Sequence, residues 1–128
     1  MISPTRKAAR KSDNWGSGAY GTSRGQRRHK GTDFVCEPEQ EIAAPIEGIL
    51  IREARPYVEG GFSGCVIQGE HITIKMFYMK PDHQIIGSYV HQNDIIGVAQ
   101  DITIKYPGMT PHIHLEVESI DPELLTFI

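Results

Sequence analysis

His112-Ile113-His114-Leu115-Glu116-Val117 alternates polar and apolar residues without interruption. A period of two is the signature of a half-buried β-strand, so His112, His114 and Glu116 project from one side and Ile113, Leu115 and Val117 from the other. Two imidazoles then stand side by side above an apolar face. One of them can bind a metal ion while its neighbour acts as a general base toward a water molecule. A second stretch, His29-Lys30-Gly31-Thr32-Asp33, complements the first. Its spacing of four would suit a helix, but Gly31, Thr32 and the following Phe34-Val35-Cys36 favour a turn that enters a strand. Asp33 is thereby placed at a strand start and His29 in the loop before it. Neither stretch holds a metal alone; together they offer two or three imidazoles and one carboxylate, the donor set that a catalytic zinc takes while keeping one position open.

Between these stretches the chain reads as a series of short strands. Ile49-Leu50-Ile51, Cys65-Val66-Ile67, Ile72 to Met79 and Asp94 to Ala99 are β-branched or aromatic runs, punctuated by Gly48, Gly60-Gly61, Gly69, Pro81, Gly87, Gly97 and Pro107-Gly108. No helical period of useful length accompanies them, so an all-β, antiparallel domain is expected. With 128 residues, 39% of them hydrophobic, one domain can bury a core without cross-links. Cys36 and Cys65 allow at most one disulfide and are expected as reduced, buried thiols in strands.

Charge is unevenly distributed. Residues 1–30 carry eight Lys or Arg against one acid, while residues 31–128 carry five against fifteen, giving a formal net charge of −3. A basic segment ahead of an acidic body can attract anionic polymers. Residues 1–14 are expected as a flexible basic arm and residues 15–128 as the single folded domain. Nucleic-acid binding is not expected, because aromatic and basic residues are not interleaved along the β core. No apolar run is long enough to span a bilayer, so no membrane insertion is expected. Met1 to Lys7 carries charge without an apolar run behind it, which predicts synthesis in the cytoplasm without a secretory signal. His71, His83 and His91 read as turn or surface histidines.

The ordered set of motifs adds a family resemblance. The chain reads Gly18-Ala19-Tyr20-Gly21-Thr22-Ser23-Arg24-Gly25-Gln26-Arg27-Arg28-His29-Lys30-Gly31-Thr32-Asp33, then Ala44-Pro45-Ile46-Glu47-Gly48, Asn93-Asp94-Ile95-Ile96-Gly97 and Pro111-His112-Ile113-His114-Leu115-Glu116-Val117. From about Gly18 to Val117 it resembles the lysostaphin or LytM-type zinc metallo-endopeptidases, whose H-x-G-x-D, A-P-x-x-G, G-x-x-I-G and H-x-H-x-E signatures follow in this order. The resemblance implies a duplicated hybrid motif fold with a groove across one sheet. It implies Zn²⁺ held by His29, Asp33 and His114, His112 as catalytic base, and peptidoglycan peptide stems as substrate. Action at the bacterial cell wall would then follow lysis, phage-related release or a specialised delivery route. Glu116 is positioned to orient a ligand imidazole. Arg24, Arg27 and Arg28 lead into His29 and would flank the groove, Arg27 and Arg28 meeting substrate carboxylates. Trp15 and Tyr20 can stack on a glycan or cover the core edge.

One departure stands out. The family places a further histidine in a Tyr-x-His-Leu stretch, where it supports the tetrahedral intermediate, whereas this chain reads Lys75-Met76-Phe77-Tyr78-Met79-Lys80-Pro81. Tyr78 or Lys80 takes that place, depending on register; a phenol can donate to an oxyanion and an ammonium can offset its charge. His83 follows closely enough to fold back as a third candidate. The same stretch, with Lys105-Tyr106-Pro107-Gly108, also resembles leukocyte cell-derived chemotaxin. That likeness implies the alternative of a non-catalytic, zinc-stabilised binding or signalling module.

Overall fold

The computed structural model describes residues 1–8 and 31–121, together with the backbone of two short strands between them. The strands are, in chain order, β1 (Ser23–Arg24), β2 (Arg27–Arg28), β3 (Thr32–Val35), β4 (Glu41–Ala43), β5 (Gly48–Ala54), β6 (Gly64–Gln68), β7 (Ile72–Phe77), β8 (Met79–Pro81), β9 (Tyr89–Val90), β10 (Ile95–Ala99) and β11 (His112–Ile120). The remaining regular elements among the described residues are two single 3₁₀ turns, His83–Ile85 and Ile102–Ile104. None is a helix long and apolar enough to cross a membrane.

All strand pairs are antiparallel. Six strands form one sheet in the order β3-β11-β7-β6-β5-β9, three form a second in the order β4-β10-β8, and β1 pairs with β2. The all-β antiparallel fold expected from the sequence is therefore observed. The period of two in β11 has the expected consequence: Ile113 and Leu115 face the core, where Leu50, Cys65, Ile67, Ile74 and Met76 of the large sheet meet Ile42, Met79, Ile96 and Ala99 of the small one. Most of these side chains are fully buried. Each Leu, Ile or Met among them contributes about 1.5–3 kcal/mol by leaving water, which makes this contact the main source of stability. The three-stranded sheet covers one face of the six-stranded sheet and leaves the face bearing His112 and His114 for chemistry.

The run Ile72 to Met79, a single strand on sequence grounds, is broken at Tyr78. Its φ of 73° places it in the left-handed region, uncommon for a residue with a bulky side chain. The chain changes sheets there: β7 ends in the large sheet and β8 begins in the small one. Backbone hydrogen bonds hold the corner, from Tyr78 N–H to the Ser63 carbonyl at 2.8 Å and from Gln100 N–H to the Tyr78 carbonyl at 2.9 Å.

Both cysteines are free thiols buried in the main core. Burial pushes Cys36 up to about 11 and Cys65 up to about 12, so neither is a thiolate near neutral pH. Residues 1–8, read from the sequence as the start of a flexible arm, are hydrogen-bonded to the body. Ile2 N–H donates to the Pro45 carbonyl, Ala43 N–H to the Pro4 carbonyl and Val35 N–H to the Ala8 carbonyl. Thr5 is buried. Residues 9–14 lie outside the described part.

Candidate metal centre and active site

The register of two strands assembles the centre. In the β3–β11 pair, Asp33 lies opposite His114 and Val35 opposite His112, so the carboxylate and both imidazoles share one face. Gly31 makes that pairing possible. A Cβ there would stand 2.2 Å from the Leu115 carbonyl oxygen and 3.0 Å from the His114 ring, so any side chain would push β3 away from β11. The glycine in the H-x-G-x-D spacing thus has a steric reason of its own.

Asp33 is only 1% exposed and His112 only 3%. The His114 Nδ1 lies 2.7 Å from Asp33 Oδ1 and its Nε2 lies 3.0 Å from Glu116 Oε1. Burial alone would lower the pKa of His114; the Asp33 and Glu116 carboxylates outweigh it and hold the imidazole above its ordinary value. Glu116 thereby fixes the ring from the side remote from Asp33. Phe77, opposite His114 in the β7–β11 pair, stacks nearly parallel on its ring at 6.2 Å, and the Lys75 ammonium sits 5.5 Å from the centre of Phe77.

His112 is held differently. Its Nδ1 is 2.8 Å from the Thr110 carbonyl oxygen. A carbonyl only accepts, so Nδ1 carries the proton and Nε2 is the basic nitrogen of the neutral ring. That Nε2 faces Asp33 Oδ2 at 3.4 Å.

Asp33 and His114 bring a carboxylate oxygen and an imidazole nitrogen together, and both are donor types zinc accepts. Among the described residues no group of three His, Cys, Asp or Glu side chains is arranged to hold a metal ion. The third implied ligand, His29, lies outside the described part, as do the side chains of Arg24, Arg27 and Arg28 and the whole of Trp15 and Tyr20. The donors present fit the chemistry of zinc, with His29 as the ligand that would complete the set.

Tyr78 stands edge-on to the His112 ring at 5.5 Å. Its hydroxyl is 2.9 Å from that of Tyr57, which is also hydrogen-bonded to the hydroxyl of Tyr106. These three phenols pack on Phe62, Ile102 and Met109, a small apolar cluster separate from the main core. Burial, as the leading cause, pushes Tyr57 and Tyr106 up to about 12, so both stay protonated across the neutral range. Lys105 caps the cluster with its ammonium 4.0 Å from the centre of the Tyr57 ring. Sequence reasoning singled out the Lys105-Tyr106-Pro107-Gly108 segment without a role for Tyr106. It did not find Tyr57 or Thr110, which carry no local motif.

Lys80 and His83 are elsewhere. Both line a cavity with Glu53, and Glu53 lies opposite the core-facing Cys65 in the β5–β6 pair. They belong to the opposite side of the large sheet from His112. His71 pairs with Asp121 and Glu70, and His91 with Asp94, at the surface.

Comparison with known proteins places this arrangement. No protein-family model matches the chain. Over 113 residues it is 31% identical to leukocyte cell-derived chemotaxin-2 of Mus musculus, an alignment spanning 86% of this chain and 74% of the mouse protein. Over 106 residues it is 33% identical to the Bos taurus protein of the same name, spanning 81% and 69%. In three dimensions it matches the catalytic domain of the antimicrobial peptidase lysostaphin from Staphylococcus simulans with a TM-score of 0.54 and 20% identity, over 87% of this chain and 88% of that domain. The shared fold is thus that of the lysostaphin catalytic domain.

Proposed function

We propose that this chain, which belongs to the family of leukocyte cell-derived chemotaxin-2, is a zinc-dependent endopeptidase that hydrolyses the peptide cross-links of bacterial peptidoglycan. The observation that carries this reading is the setting of His112. Its Nδ1–H is tied to the Thr110 carbonyl, and its basic Nε2 is aimed at the Asp33 and His114 pair. Such a ring is a positioned general base.

Zinc held by His29, Asp33 and His114 would supply Lewis-acid polarisation of the scissile carbonyl and make water acidic enough to be deprotonated near neutral pH. The chain's own residues do the rest. His112 accepts the water proton at Nε2 and becomes an imidazolium whose Nδ1–H bond to the Thr110 carbonyl strengthens as charge develops. It then returns the proton to the leaving amine. Phe77 and Glu116 keep the His114 ring from turning. Tyr78, against His112, has a phenol that can donate to the oxyanion. Arg27 and Arg28, directly before His29, would meet carboxylates of the peptide stem.

A second reading has its own support. The Tyr78 hydroxyl is engaged by Tyr57, itself tied to Tyr106, and a phenol so held favours a non-catalytic binding module. Zinc content and the turbidity of purified sacculi separate the two. The endopeptidase reading expects about one zinc per chain and clearing of the suspension, with clearing slowed about 100-fold or more in Tyr78→Phe if that phenol serves the oxyanion. Zinc without clearing of several peptidoglycan types would sink the enzyme and leave the binding module.

A further inference from the structure

Glu53, Arg55, Ser63, Lys80, His83 and Gln100 line a cavity of about 280 Å³ on the side of the large sheet remote from His112. Its frame is rigid. Ser63 is almost fully buried, donates from its hydroxyl to Glu53 Oε2 at 2.5 Å, and donates from its N–H to Gln100 Oε1 at 2.8 Å. The Gln100 amide in turn donates to the Gly61 carbonyl at 3.0 Å. Glu53 is the carboxylate of this cavity, and it is already approached by Arg55 at 3.7 Å and by His83 Nε2 at 3.6 Å. Lys80 has no carboxylate within ion-pair reach among the described residues. The cavity therefore holds more positive charge than its single carboxylate balances.

A second cleft of about 450 Å³ shares Lys80, Gln100 and Gly61 with the first. Phe62, Val98 and Ile104 give it an apolar wall, and Ile104 is 81% exposed. Glu39 and Asp101 also border this cleft; Asp101 is occupied as the cap of the Ile102–Ile104 turn, accepting from the Thr103 N–H and hydroxyl. One end of the trench thus carries Lys80, Arg55 and His83 around Glu53, and the other carries Glu39 and Asp101 beside an apolar wall.

We propose that this trench binds the carboxylate-bearing end of a peptide. The terminal carboxylate lies between Lys80, Arg55 and His83, and an apolar side chain lies against Phe62, Val98 and Ile104. Glu39 and Asp101 at the far end have no cation but Lys80 in the shared lining to offset them, whereas Glu53 at the near end is offset by Arg55 and His83, and this difference sets the direction of the ligand. Lys80, shared by both cavities, links the two halves of the site. The site shares no lining residue with the His112 centre and touches it where Phe62 packs edge-on against Tyr78, and the proposal stands whether or not that centre cleaves peptides.

The test is a backbone amide NMR titration of the full chain with N-acetylleucine, N-acetylleucine amide and inorganic phosphate. N-acetylleucine should shift the amides of Gly61, Ser63 and Gln100 with a millimolar dissociation constant, and the uncharged amide should bind about tenfold more weakly or less. Lys80→Met should abolish the shifts, Lys80→Arg should retain them, and both variants should match the parent in thermal midpoint. Equal binding of acid and amide, binding of phosphate without N-acetylleucine, or an undiminished response in a folded Lys80→Met protein would each overturn the proposal.

Discussion

The His112 centre and the Lys80 cavity both combine histidine with carboxylate, and they differ in water. At the His112 centre the carboxylate of Asp33 is sealed between strands β3 and β11, with imidazoles on two sides. At the Lys80 cavity, Glu53 is partly exposed, and His83 and Arg55 are more than half exposed. Buried groups lose hydration and depend on one another; exposed groups can exchange a lost partner for solvent. The same residue types should therefore be costly to remove in the first place and nearly neutral in the second.

The sharpest contrast is Asp33→Ala. It removes a metal-ligand candidate and leaves the buried His112 and the largely covered His114 without the carboxylate between them. Breaking a buried pair costs about 3–5 kcal/mol, so urea denaturation of the metal-free protein should show a loss of that size, and zinc should no longer co-purify. If the metal-free variant unfolds within about 1 kcal/mol of the parent, the range of exposed pairs, the contrast between the two places fails.

A change confined to chemistry comes next. His112→Ala removes the base but neither Asp33 nor His114, so zinc content should persist. Hydrolysis of sacculi should fall by about two to four orders of magnitude, the usual contribution of a general base. Zinc lost to the same extent as in His114→Ala would mean that the two histidines have exchanged roles.

The difference between the two places also marks how far the sequence could be read. Strand β11 was legible because polar and apolar residues alternate through six positions, which assigns His112, His114 and Glu116 to one face. The strand nature of residues 32–35 was legible from propensity instead, since Gly31 and Thr32 disfavour a helix and Phe34-Val35-Cys36 favour a strand. Tyr78 and Lys80 were indistinguishable as occupants of one place, because residues two apart on a strand share a face. The positive φ of Tyr78 breaks that rule. It ends β7, moves the chain to the smaller sheet, and sends Lys80 to the far side with His83. A left-handed tyrosine has no sequence signal of the kind a glycine would give. The phenol cluster was hidden for another reason: Tyr57, Tyr78 and Tyr106 are far apart along the chain and are joined only by tertiary packing.

The smallest expected effect lies at the exposed place and is read as pH dependence. The Ser63 hydroxyl is the leading cause that holds the Glu53 carboxyl below its ordinary value, with Arg55 and His83 adding and partial burial opposing. A carboxyl lowered in the folded state stabilises the fold above its unfolded pKa, and that contribution disappears as pH falls through the folded pKa. Ser63→Ala should therefore raise the Glu53 midpoint in a carboxyl-carbon NMR titration toward the ordinary carboxylate range. The electrostatic part of the stability difference from the parent should be present at neutral pH and fade in acid. It should amount to about 0–1 kcal/mol, as for other solvent-screened pairs. An unchanged Glu53 midpoint would mean that the Ser63 hydrogen bond does not form in solution, and that the Lys80 cavity lacks the rigid frame that distinguishes it from an ordinary charged surface.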